Sequence, residues 1–308
     1  VKNKQLFFLK HKVLMILICL AGTLGIGFMI LGKPNASKAQ SNSTVDSNDS
    51  TAEVGTQKRI EALKTIMLNS WQKEAQSKGI ITDVPRRLQG TVFEGASLPA
   101  KEKVIALTFD DGPWPSSTAK IIDILQKNHI KGTFFVIGQN VKHYPDLLKR
   151  VVSQGNVIGN HTWHHWYRYL NPQAAAYEIT STADVIYKVT GIKTDLFRPP
   201  GGVMNNGVVN YAKNNKYAVI LWSADSADYS RPSVSRLLRN VFRQAKPGGI
   251  VLMHDGGGNR SHTVQALPEV ISRFREQGYR FVTIPELLEL QDKQQKLVAK
   301  KKVVETKK

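Results

Sequence analysis

The chain has 308 residues, enough for one large domain with appendages or two small ones, and at 41% hydrophobic and 8% aromatic it is not disordered as a whole. Its 43 Lys and Arg against 24 Asp and Glu give a formal charge of +19, which points to an anionic contact such as nucleic acid, anionic lipid or an acidic cell-wall polymer. The single cysteine, Cys19, excludes an intrachain disulfide and a cysteine-based zinc site, so any metal must be held by His and carboxylates.

Residues 1–12 form a basic end with Lys2, Lys4, Lys10 and Lys12. Residues 13–31, VLMILICLAGTLGIGFMIL, carry no charge. As a helix this stretch rises roughly 28 Å, close to the hydrocarbon thickness of a bilayer. The lysines before it keep that side in the cytoplasm and send the rest of the chain outside. The expectation is a single-pass anchor in the cytoplasmic membrane. The alternative is a cleaved signal segment, with Ser37-Lys38-Ala39 as the cleavage site, and then a secreted protein.

Residues 32–55 are rich in Ser, Asn, Thr and Asp and read as a flexible linker. Within 56–100, Ile60, Leu63, Ile66, Met67 and Trp71 recur at three- and four-residue spacing, which predicts an amphipathic helix over 56–78 followed by a connector. That helix packs on the main domain or mediates self-association, and the pattern does not choose; the oligomeric state stays open.

From residue 101 to 290, short β-rich runs alternate with helical ones. The predicted strands are 104–109, 132–138, 157–161, 195–200, 217–223, 249–254 and 279–284. The helical segments lie near 117–128, 145–154, 173–189, 205–215, 233–245 and 263–277. Strands separated by helices imply an α/β fold with a parallel sheet or barrel. Residues 291–308, with seven lysines from Lys293 to Lys308, read as a solvated basic tail.

Polar residues cluster where the strands run out: Asp110 and Asp111, His161, Arg198, Asp225 and Asp228, and His254. The C-terminal ends of (β/α) strands share one mouth, so these residues are expected in one pocket. In His161-Thr-Trp-His-His165, imidazoles at i and i+4 lie on one face of a helical turn and can grip one ion; His164 is out of register. Successive side chains of an extended strand point apart, so one carboxylate of the Asp110-Asp111 pair can complete a metal site while its neighbour faces the attacking water. Two His and one Asp leave open positions for water and substrate. A metal held this way lowers the pKa of its water toward ~7 and polarises a carbonyl. Asp110 is the natural general base and His254 the natural general acid.

These motifs resemble the polysaccharide deacetylase family, carbohydrate esterase family 4 with its NodB homology domain. The resemblance rests on TFDDGP at 108–113, HTWHH at 161–165, RPPGG at 198–202, WSADSADY at 222–229 and LMHD at 252–255, in that order. It implies a distorted (β/α) barrel of seven or eight strands and a divalent ion, zinc first, with cobalt, nickel or manganese as alternatives. It assigns Asp111, His161 and His165 as ligands, Asp110 as base, His254 as acid, Arg198 as the residue holding the base, and Asp228 as the one orienting the acid. A guanidinium keeps a neighbouring aspartate ionised, and a carboxylate fixes an imidazole's tautomer. Pro199, Gly201, Tyr229 and Leu252 are the implied substrate-pocket residues.

Two positions depart from the family pattern. Gly201 stands where many members have Tyr; the backbone N–H used toward the oxyanion survives, and the side chain is lost. Tyr229 stands where many have Trp, which reshapes the acetyl-methyl pocket. The implied function is removal of N-acetyl groups from N-acetylglucosamine units of an extracellular glycan, peptidoglycan or a chitin-like oligosaccharide, outside the membrane in the periplasm or cell wall. O-acetyl ester hydrolysis of the xylan type, or hydrolysis of a small cyclic amide, is the alternative. An inactive wall-binding scaffold is the reading from another class. No nucleic-acid reading motif is present, so nucleic acid is not an expected partner.

Overall fold

The computed structural model describes residues 84–305, together with Thr56, Arg59, Ile60, Ala62 and Leu63, which are helical. The predicted anchor at 13–31, the linker at 32–55 and most of the helix at 56–78 lie outside the described residues. Among the described residues, no helix is long and apolar enough to cross a membrane. The chain divides into two units, Val1–Glu61 and Ala62–Lys308, and the strands and the helices that pack on them all belong to the second.

The strands are β1 (Val92–Phe93), β2 (Val104–Asp110), β3 (Thr133–Val136), β4 (Val157–Asn160), β5 (Leu196–Phe197), β6 (Ala218–Ile220), β7 (Ala224–Asp225), β8 (Gly249–His254) and β9 (Arg280–Val282). They form one sheet in the order β1-β6-β5-β4-β3-β2-β8-β7, with β9 against β2, and every strand pair in it is parallel. β2 holds β8 along one side. Its other side meets β9 at Val104–Ala106 and β3 at Thr108–Asp110. The helices are α1 (Thr118–Lys127), α2 (Gly138–His143), α3 (Pro145–Ser153), α4 (Pro172–Thr190), α5 (Val208–Asn214), α6 (Val234–Gln244), α7 (Ser261–Glu276) and α8 (Ile284–Glu305). The result is a curled, parallel (β/α) half-barrel, in keeping with the α/β expectation.

Nine strands are described where the sequence pattern predicts seven. The additions, β1 and β7, are two residues long, so their assignment rests on pairing with β6 and β8 rather than on local pattern. The 195–200 run is a strand only at Leu196–Phe197, because Pro199 and Pro200 cannot donate to a ladder. Val84, Leu88, Phe93 and Ala96 belong to the core, so part of the expected connector completes the sheet's interior. At the other end, α8 begins at Ile284 and carries the expected basic tail as helix to Glu305, with Ile284, Leu287 and Leu288 buried.

The two faces of β2 position the site. Ile105, Leu107 and Phe109 pack into the layer formed with α1, α3, α6 and α7. Val104 and Ala106 face the inside of the curl, packed with Ile250, Val282 and the start of α8. Side chains alternate along a strand, so Thr108 and Asp110 continue the inner face. β8 repeats the arrangement: Val251 and Met253 face the helices and Ile250 faces inward, which puts Leu252 and His254 on the inner side. The apolar half of each strand closes the bottom of the curl, and the polar half opens at the C-terminal end.

Candidate active site

Asp110 is the last residue of β2 and lies in register with His254, the last residue of β8. Asp111 turns out of the strand with φ of 74°, in the left-handed region. That turn overrides the expected divergence of adjacent side chains. Asp110 Oδ2 is 3.7 Å and Asp111 Oδ1 3.5 Å from the same atom, His161 Nε2. The turn is packed closely: a Cβ on Gly112 would lie 2.0 Å from Asp255 Oδ2, so only glycine fits there.

His161 follows β4, and His165 comes round on a loop, not on the helical turn expected from its spacing. Thr162 and His165 both have positive φ, 66° and 62°, and 161–165 contains no helix. The loop still brings the two rings to 4.8 Å. His165 Nε2 is 3.3 Å from Asp111 Oδ1. One donor atom each from Asp111, His161 and His165 lies within 4.8 Å of the others, and among the described residues no other such group of three is found. His161 Nδ1 donates to the Arg198 carbonyl at 2.7 Å, which directs the lone pair of Nε2 at the cluster. Burial, with the charge of His165 adding to it, pushes His161 down to about 3, so the imidazole is neutral, as a ligand must be.

Glu178, on α4, holds this loop and was not anticipated from the sequence. Its carboxylate accepts the backbone N–H groups of Trp163 (2.9 Å) and His164 (2.8 Å) and faces His164 Nδ1 at 2.5 Å. His164 is therefore a structural contact outside the cluster. Asn160 joins in, accepting the Thr162 N–H at 2.9 Å while donating to Ile179 O at 2.8 Å. A signal for Glu178 exists: it falls on the buried stripe of α4 with Ala175, Ile179, Thr182 and Ile186, where a lone carboxylate requires partners.

On one side of the cluster stands Arg198, fully buried. Its Nη1 donates to Asp110 Oδ1 at 2.7 Å and to Thr108 Oγ1 at 2.8 Å, its Nε to Ile220 O at 3.1 Å, and its Nη2 to Leu221 O at 3.2 Å. The guanidinium lies 4.1 Å from the Phe135 ring centroid. Burial nevertheless pushes Asp110 above the usual carboxylate range, against the pull of Arg198. The charge and hydrogen bond of the guanidinium limit the rise without cancelling it. A carboxylate raised in this way is a stronger base.

Across from Asp110, His254 Nδ1 meets Asp228 Oδ1 at 2.6 Å, and its backbone N–H donates to Asp228 Oδ2 at 2.9 Å. Thr263 Oγ1 donates to the same Oδ2 at 2.7 Å, and Arg260 Nη1 donates to the Asp228 carbonyl at 3.3 Å. Burial opposes a charge on His254, but the hydrogen bond and charge of Asp228, with Asp110 and Asp111 nearby, outweigh it and push the imidazole up to about 9. Asp228 is lowered: burial opposes its charge, and the His254 and Thr263 contacts overcome that. Asp255, whose role the sequence left open, sits beneath the site. Burial, with the charges of Asp111 and Asp110 adding to it, pushes it up to about 7 even though Thr118 donates to it.

Of the expected pocket residues, Pro199 and Leu252 are buried, while Gly201 and Tyr229 are exposed at the rim. The Tyr229 ring stands nearly perpendicular to His254, with centroids 5.8 Å apart. The structure thus gathers the expected acid, base, ligand and partner residues at one mouth.

A divalent ion fits this donor set. Asp111 Oδ1 is buried and accepts no hydrogen bond, although a buried carboxylate oxygen without a partner is costly. The Nε2 atoms of His161 and His165 face that same atom, at 3.5 and 3.3 Å. Two imidazoles and a carboxylate leaving positions open suit zinc and its neighbours.

A family model described as polysaccharide deacetylase matches residues 97–220. A peptidoglycan-N-acetylglucosamine deacetylase of Bacillus cereus is 40% identical over 205 residues, 66% of this chain and 96% of that protein. The peptidoglycan-N-acetylmuramic acid deacetylase PdaC of Bacillus subtilis is 35% identical over 235 residues, 74% of this chain and 48% of its own length. Among solved structures, a peptidoglycan N-acetylglucosamine deacetylase in complex with a substituted N-oxidanyl-benzamide aligns with a TM-score of 0.61 and 32% identity, covering 65% of this chain and 94% of that one.

Proposed function

The chain belongs to the polysaccharide deacetylase family, and from that premise we propose that it hydrolyses the acetamido group of N-acetylglucosamine units in peptidoglycan. Water adds to the carbonyl carbon, the C–N bond breaks, and acetate and a free sugar amine leave. The observation that carries the reading is the orphaned Asp111 Oδ1, 3.5 and 3.3 Å from two imidazole nitrogens, with a buried carboxylate and a protonated imidazole on either side.

Asp111, His161 and His165 would hold the divalent ion, zinc first. When bound, the ion polarises the carbonyl and acidifies water. Asp110 takes the proton from the attacking water. Arg198 and Thr108 fix that carboxylate in place, so it meets the water already oriented. His254 carries its proton on the ring nitrogen turned away from Asp228 and delivers it to the departing nitrogen. Asp228 holds the ring's direction and supports its charge. The backbone N–H of Gly201 is the proposed donor to the developing oxyanion. An amine is a poor leaving group unless protonated. A His254 pushed up to about 9 therefore favours an amide over an ester substrate, because an ester's alkoxide needs that help less.

We further propose that residues 13–31 tether the enzyme to the cytoplasmic membrane with residues 84–305 outside. The charge pattern of the sequence supports this, and the positive charge suits an anionic wall. The test is acetate release from peptidoglycan strands and chitooligosaccharides, with and without a chelator. Release from neither substrate, or release indifferent to chelation, overturns the reading.

A further inference from the structure

We propose that Tyr167 is a substrate-binding residue whose ring stacks on the sugar next to the one being deacetylated, and so makes the enzyme prefer oligosaccharides to single sugars. The inference rests on the deacetylase reading and extends it to a residue outside the recognised motifs.

Three observations carry it. The Tyr167 ring stands edge-on to His165, with centroids 5.1 Å apart and planes at 85°, so it borders the cluster directly. It is 58% exposed, and an aromatic ring left open to water at the lip of a site is available to a ligand. Gly201 lies beneath it: a Cβ there would come within 2.5 Å of Tyr167 Cε1 and 3.1 Å of Cδ1. Gly201 also has φ of 59°, where any side chain is strained. The space that a side chain at 201 would claim is therefore held by the ring of Tyr167. Tyr229, 54% exposed against His254, borders the opposite, acid side.

The two tyrosines are thus the aromatic borders of the site, one beside a proposed ligand and one beside the proposed acid. A pyranose presents a face of C–H groups that packs on an aromatic ring, and a tyrosine adds a hydroxyl that can reach sugar hydroxyls. The ring is stiff and loses little entropy when a ligand settles on it. Because it lies beside the reacting centre, it contacts a neighbouring sugar and contributes only when the substrate has one.

The experiment compares the full chain with Tyr167→Ala and Tyr167→Phe, using isothermal titration with chitopentaose and acetate-release kinetics on chitopentaose and N-acetylglucosamine. Hydrolysis of a small acetyl ester and zinc content serve as controls. Tyr167→Ala is expected to weaken chitopentaose binding and raise its KM by about tenfold, the scale of one lost ring contact. Its kcat, ester hydrolysis and zinc content are expected to stay at the unsubstituted level, and Tyr167→Phe should restore binding. Unchanged chitopentaose affinity in Tyr167→Ala overturns the proposal. So does an equal loss on the ester or a loss of zinc, either of which would make Tyr167 a support for His165 alone. If the unsubstituted chain binds chitopentaose without releasing acetate, the catalytic reading fails while the titration still decides the role of Tyr167. If it does not bind, both fail.

Discussion

Asp110 and His254 are register partners on the adjacent parallel strands β2 and β8, each the last residue of its strand. Partners in a parallel ladder project to the same face, so the proposed base and acid are fixed relative to each other by backbone hydrogen bonds and not by loops. Asp110→Asn and His254→Ala should each lower kcat by about 10²–10⁴-fold, the usual contribution of one acid–base group, with the fold and bound metal retained. Acetate-release rates beside circular dichroism and metal content check this. A variant of either residue with unimpaired kcat would remove it from the mechanism.

The hydrogen bond and charge of Asp228 raise His254 against its burial, with Asp110 and Asp111 adding to them. His254 is pushed from its ordinary 6.5 up to about 9, so its charged form persists through neutral pH and is lost as pH rises through about 9. Activity that needs this proton should fall on that alkaline limb. Charged His254 also favours the folded state: its contribution is complete below about 6.5 and disappears as pH climbs through about 9. Asp228→Asn removes the charge and should move the alkaline limb to lower pH. A kcat profile from pH 5 to 10 on both proteins reads this, and coincident limbs would contradict the assignment.

Removal of the ion should abolish acetate release, and zinc or cobalt should restore it. Elemental analysis should find about one ion per chain. His161→Ala and His165→Ala should each lose that ion while melting cooperatively. A chelated protein that keeps full activity would contradict the ligand set.

Arg198 is fully buried and donates to four separate acceptors. Arg198→Met leaves the Asp110 carboxylate buried without its cation and should destabilise the fold by about 3–5 kcal/mol in urea titration. Arg198→Lys should not rescue it, because an ammonium cannot reproduce the planar fork. Equal urea midpoints for the three proteins would show that the pair contributes nothing to stability.

Glu178 should act on the metal from a distance. Glu178→Ala deprives the Trp163 and His164 N–H groups of their acceptor and releases the loop that carries His165. Metal affinity should fall about 10–100-fold, the range for losing an outer-shell support. Competition with a chelating dye measures this, and unchanged affinity would restrict Glu178 to folding.

The sequence by itself determined the residues and the faces. The alternation of β2, with Ile105, Leu107 and Phe109 toward one layer and Val104, Ala106, Thr108 and Asp110 toward the other, is readable because side chains on a strand alternate. The clustering of Asp110, Asp111, His161, Arg198, Asp228 and His254 followed from their place at strand ends. The tertiary structure decided what depends on distant partners. β1 and β7 are too short to carry a pattern and are strands only because β6 and β8 are beside them. The left-handed turns at Asp111 and His165 replaced a strand's divergence and a helix's spacing. The clasp of Glu178, and the balance that leaves Asp110 raised and His254 protonated, depend on burial and on charges far apart in sequence. Local preference propagates over a few residues, whereas desolvation and hydrogen-bond pairing act between whatever side chains the fold brings together.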